Sequence, residues 1–176
     1  MPDKGECWLK SRGHMSIKQT NIHQKYFIML LLLLFSFNNL YAMSFDVTYE
    51  MFGVGEGKAG YYLVEISAYV AKKKEISREI TKKCAVHGVL FKGYSGHKGY
   101  ASKPALIRDS NLAEEKTSYF EALIEEKYEI YTSMANEFMK VVKVGKKYKV
   151  TTIVQVNVKQ LRRDLERDKI MKTLGF

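Results

Sequence analysis

An α/β domain, with α+β as the alternative, is the fold class that three features of this sequence predict. Tyr61–Val70 (YYLVEISAYV) and residues 148–158 alternate apolar and polar residues with the period of two that a half-buried strand shows. Between them, residues 76–91 repeat apolar side chains three and four apart, the period of a helix face. Glycines stand at the joints: Gly93 just past that helix, and Gly145 inside a hairpin. A mixed sheet of about four to five strands, with helices packed on it, is the expected architecture.

The elements follow in order. Residues 44–51 (SFDVTYEM) alternate and predict a first strand. Gly53, Gly55, Gly57 and Gly60 then crowd together and read as a turn or edge loop that breaks regular structure. In Tyr61–Val70 one face carries Tyr62, Val64, Ile66, Ala68 and Val70, while Glu65 and Ser67 point the other way. A helix is expected over 77–92, where Ile76, Ile80, Cys84, His87 and Phe91 recur and Val86, Val89 and Leu90 widen the apolar face. So wide a face predicts deep burial.

Residues 93–104 are glycine-rich, end in Pro104 and read as a mobile loop. Ser118 and Glu121 have capping-box spacing and predict a short helix start, and residues 126–132 predict a short strand. Two strands, 139–144 and 148–158, are joined by Gly145-Lys146-Lys147. Asn157, with Gln160 three positions on, caps a last helix. Leu161, Leu165 and Ile170 face its core side, and Arg162, Arg163, Glu166, Arg167 and Lys169 stay in water. The long apolar strand followed by an apolar helix predicts a right-handed crossover into a parallel neighbour.

Upstream, residues 1–42 read as a secretory signal. A basic flank (Lys18, His23, Lys25) precedes the apolar run 26–37, and Leu40-Tyr41-Ala42 offers a small-residue cleavage site. The run of 12 residues falls short of the roughly 20 that a spanning helix needs. An uncleaved anchor is the alternative. Met43 stands where a lipoprotein would carry cysteine, and Met15 would give a signal of more ordinary length. Cleavage at Ala42 leaves 134 of the 176 residues as one exported domain, 43–176, periplasmic or secreted. The first 42 residues hold five Lys/Arg and two Asp/Glu, so the chain's +10 becomes +7. Export excludes nucleic acid as a partner and most nucleotide chemistry. A basic exported surface suits an anionic polymer, an acidic protein or the surface of an anionic membrane. Cys84 is then unpaired, and its place on an apolar helix face predicts burial.

Few motifs carry chemistry. The glycine cluster opens a strand rather than a helix, Phe52 stands where a phosphate loop needs glycine, and Ala59 follows Lys58. Cys84 and His87 lie about one helical turn apart, but on the apolar face, and zinc would need two further ligands with only His97 left as a nitrogen donor in the exported domain 43–176. No serine elbow and no carboxylate pair apart from lysines is found. No cofactor or metal is expected. The strongest candidate surface is the loop bearing Tyr94, His97, Lys98, Tyr100 and Lys103: aromatic rings, an imidazole and cations on glycine hinges.

Residues 60–94, ending in AVHGVLFKGY, and the carboxy-terminal stretch VGKKYKVTTIVQVNVKQLRRDLERDKIMKTLGF resemble a group of small exported proteins of Gram-negative bacteria without assigned function. The element order is also similar to the curli-secretion and penicillin-binding-protein-activator type of periplasmic α/β domain, and distantly to the amino-terminal domain of TolB. This resemblance implies non-enzymatic envelope work, whether docking onto a synthase, assembling into a complex or scaffolding, and carries over no functional residue. The expected function is an interaction domain that binds an envelope protein or anionic polymer through the Tyr94 loop. The alternatives are a lysine-rich module on anionic lipid, and an envelope hydrolase using His97 or the Cys84/His87 pair.

Overall fold

The computed structural model describes residues 45–172 except Lys98, with every side chain among them but that of Glu56. The expected signal and its cleavage site lie outside the described residues. Among the described residues no helix is long and apolar enough to cross a membrane.

Among the described residues six strands form one mixed sheet: β1 Thr48–Glu56, β2 Tyr61–Val70, β3 Ser95–Gly96, β4 Thr132–Met134, β5 Lys140–Val144 and β6 Lys147–Asn157. Helices α1 Arg78–His87, α2 Ser110–Glu115, α3 Thr117–Glu125, α4 Tyr128–Tyr131 and α5 Val158–Arg167 accompany it. The strand order is β3-β1-β2-β6-β4, and β5 pairs with β6 as well. The result is an α/β-type domain with helices packed on a mixed sheet.

The centre is the ten-residue antiparallel ladder of β2 and β6, from Tyr61↔Asn157 to Val70↔Tyr148. Alternation puts Val64, Ile66 and Ala68 of β2 and Val150, Thr152, Val154 and Val156 of β6 on one buried face. Most of these strand residues share one core with Cys84, Ala85 and Val86 of α1, Phe120, Leu123 and Ile124 of α3, and Leu161 and Leu165 of α5. Each Val, Leu, Ile or Phe side chain among them contributes about 1.5–3 kcal/mol by leaving water.

The crossover into a parallel neighbour does not occur. β1 and β6 occupy both edges of β2, each antiparallel, so α1 carries the chain past β1 to the far edge. There β3 makes the sheet's parallel pair, Phe52↔Ser95 and Gly53↔Gly96. The first strand also runs further than expected. It continues through Gly53 and Gly55 to Glu56, with its register shifted between the two glycines. A Cβ on Gly53 would lie 2.6 Å from the Tyr94 ring, and one on Gly55 would lie 2.7 Å from Leu63. These glycines serve close approach rather than a turn.

Ser77 Oγ accepts from Ile80 N (3.2 Å) and starts α1, as its sequence position predicts. The end of that helix widens into one π-helical turn, Gly88–Lys92, closed by Gly93 N donating to Gly88 O at 2.8 Å. Gly93, at φ 68, stops it. The free carbonyls of Val89 and Leu90 accept from the amides of Leu106 (3.1 Å) and Ile107 (2.8 Å), which stitch the returning chain to the helix end.

Two local expectations need correction. Ser118 lies inside α3, one residue past its start, and makes no cap; instead Thr117 Oγ1 donates back to Ala113 and Glu114 carbonyls. The chain before it is the short helix α2, begun by Asp109 accepting from Asn111 N. Residues 126–132 are mostly the helical turn α4, and the strand β4 begins only at Thr132. Tyr131 is buried in the core and its hydroxyl donates to Asp164 at 2.8 Å, which fixes that turn against α5. The hairpin and the last cap stand as expected. Gly145 takes φ 59, and Asn157 Oδ1 accepts from Gln160 N at 3.1 Å.

Candidate functional site

Two segments that are far apart in sequence meet at one corner of the sheet. Gly53, Gly55 and the β1–β2 turn 57–60 form one wall, and the loop after the π-turn forms the other. Between them lies an open cleft of about 290 Å³, lined also by Tyr61, Tyr62, Tyr94, Tyr100, Ala101 and Lys103.

The turn is pinned from both sides. Tyr61 N donates to Lys58 O at 2.8 Å, and Lys159 N of α5 donates to Gly60 O at 2.9 Å. Gly60 has φ 89, and a Cβ there would press on Lys159 at 2.8 Å, so both conformation and space demand glycine. The opposing loop is tied at its neck, where Tyr94 N donates to Lys103 O (2.8 Å) and Lys103 N returns a bond to Tyr94 O (3.0 Å). Further out, Ser102 Oγ accepts from Gly96 N at 3.0 Å, and His97 N donates to Gly53 O at 3.1 Å. A Cβ on Gly96 would fall 1.6 Å from Tyr100 O. The stretch read as a loose loop is thus bonded to β1 and to itself.

Tyr94 is half-buried. Its ring lies on Gly53 and meets Tyr62 edge-to-face at 5.3 Å, and burial beside Tyr62 pushes its hydroxyl up to about 12. It therefore stays a neutral donor and acceptor at the cleft wall across the physiological range. Tyr100 is 42% exposed at the lip, and Lys58 and Lys103 are exposed cations on the rim. Among the described residues neither lysine is ion-paired, and no carboxylate, cysteine, serine or histidine lines the cleft.

Of the sequence-predicted site residues, Tyr94, Tyr100 and Lys103 line this cleft. His97 does not; it is exposed, with its ring 6.0 Å from Phe52. Lys98 lies outside the described residues. Sequence reasoning missed the glycines, Lys58, Tyr61 and Tyr62 as partners of the loop, since only the β1·β3 pairing brings them together.

Cys84 and His87 sit elsewhere, in the core, as their apolar helix face predicts. Burial pushes the Cys84 thiol up to about 12, with Lys92 opposing, and pushes the His87 imidazole down to about 4, with Lys92 adding to the effect. His87 spends its Nδ1 on the Tyr49 hydroxyl at 2.6 Å. A buried neutral thiol makes a poor nucleophile. Comparison with family models, curated proteins and solved structures found no match.

Proposed function

We propose that this chain is an exported, non-enzymatic interaction domain that binds an envelope protein or anionic polymer in the glycine-walled cleft. One observation carries the reading: the glycine turn and the tyrosine loop, read separately as features of the sequence, face each other across a single groove. Tyrosine faces offer flat apolar surface with a polar tip, and Lys58 and Lys103 supply positive charge at the rim. About 290 Å³ is near the lower end of ligand sites, which suits a segment of a long polymer or peptide better than a cofactor.

In-cell crosslinking from a photoreactive residue in place of Tyr100, compared with one in place of the exposed helix residue Glu121, tests it. A partner captured from position 100 alone is expected, and capture should fall about tenfold when Lys58 and Lys103 are both changed to Glu. Capture of the same species from both positions, or capture indifferent to the two lysines, would remove the cleft as the binding site.

A further inference from the structure

At the sheet edge opposite β3, β5 is paired along one side only. Its register with β6 runs from Lys140↔Thr151 to Val144↔Lys147, and among the described residues nothing pairs with its outer edge. All five of its residues are exposed, and Val141, Val142 and Val144 remain 41%, 43% and 49% open to solvent. Phe138, 84% exposed, projects just ahead of them. The entry to the strand is nonetheless held: Thr152 Oγ1 donates to Phe138 O at 3.2 Å, and Arg78 donates to Glu137 O at 2.9 Å. The turn at Gly145 and Lys146 makes Val144 and Lys147 the first hydrogen-bonded pair of the hairpin. Alternation then turns the backbone N–H and C=O of Val141 and Lys143 outward.

Charge selects the occupant. Residues 138–163 contain no Asp or Glu. Lys149 is paired with Glu50 at 3.0 Å, whereas Lys140, Lys143, Lys146 and Lys147 have no ion-pair partner among the described residues. A second copy would bring cations against cations. A lipid interior would leave the outward backbone groups without partners. We propose that the outer edge of β5 is a docking edge for an acidic, extended segment of a partner protein, which joins the sheet as a further strand. Main-chain bonds to Val141 and Lys143 hold it, Val142 and Val144 seat its apolar side chains on one face, and its carboxylates meet Lys143 on the other.

The probe is a dye-labelled peptide of about ten residues alternating Glu and Val, capped at both ends and long enough to overspan the strand. Fluorescence anisotropy against the full chain should show saturable binding, weakened about tenfold or more when two central residues of the peptide become proline. Lys140→Glu with Lys143→Glu should lose binding by a similar factor. So should Val141→Pro, which deletes an outward N–H without touching the β6 ladder. Should the double variant not fold, slowed amide exchange at Val141 and Lys143 on adding peptide to the unmodified chain serves instead. Equal binding of the proline-broken peptide would overturn the proposal in favour of charge alone. Binding to phosphatidylglycerol vesicles with none to the peptide would overturn it in favour of a membrane surface.

Discussion

His87 stacks on Phe45 with ring centroids 4.4 Å apart, bonds Tyr49 and shares its surroundings with Cys84, Phe91 and the Lys92 ammonium. Lys92 in turn sits 4.0 Å over the Tyr49 ring. Burial first, and Lys92 second, lower its pKa from 6.5 to about 4 on folding. Between those values the unfolded chain binds a proton that the folded chain refuses. Stability held above pH 6.5 is therefore lost as pH falls toward 4, by an amount on the order of 3 kcal/mol. Urea midpoints measured across that window should decline, and His87→Gln should flatten the decline; an unchanged slope rejects the assignment. The burial of Cys84 and His87 was legible from their three-residue spacing on an apolar face. Gly53 and Gly55 were not legible. A glycine in sequence signals backbone freedom, and nothing local reveals that a Tyr94 ring or a Leu63 side chain fills the space of the missing Cβ.

Two helix starts look alike in sequence and differ in the fold, which makes them a test of local reasoning. Asn157 accepts from Gln160 N and also donates through Nδ2 to Tyr61 Oη at 3.2 Å, tying α5 to the start of β2. Ser118 has the same spacing to Glu121, yet it lies within α3 because the Thr117 hydroxyl bonds back into α2. Asn157→Ala should cost about 1 kcal/mol or slightly more, and Ser118→Ala should be close to neutral. Equilibrium denaturation of both settles the comparison; equal costs would mean that the Ser118 spacing acts as a cap after all. The strongly periodic elements, β2, α1, β6 and α5, were readable because one period ran long enough to dominate. The stretch Tyr128–Tyr131 fits either period over four residues, and its tertiary bond from Tyr131 to Asp164 decided for helix.

Across the whole molecule β6 is the hub, since β2 covers one edge of it while β4 and β5 divide the other. Amides of Val64, Ile66, Val154 and Val156, fully buried at that centre, should exchange with deuterium only through global unfolding. The outward amides of Val141 and Lys143 should exchange orders of magnitude faster. Slow exchange at Val141 in the isolated chain would show that its edge is covered by something within the molecule. Strand order was the least legible property, because period-two patterning says which face is buried but not which strand lies alongside. The candidate site inherits that difficulty, being made where β1 and β3 happen to meet. Because Val89 and Leu90 receive the returning amides of Leu106 and Ile107, and Tyr94 clasps Lys103, the intervening residues enter and leave the body through one narrow doorway. Such a segment behaves as a cartridge. Replacing the residues beyond β3 leaves the sheet of buried valines behind them untouched.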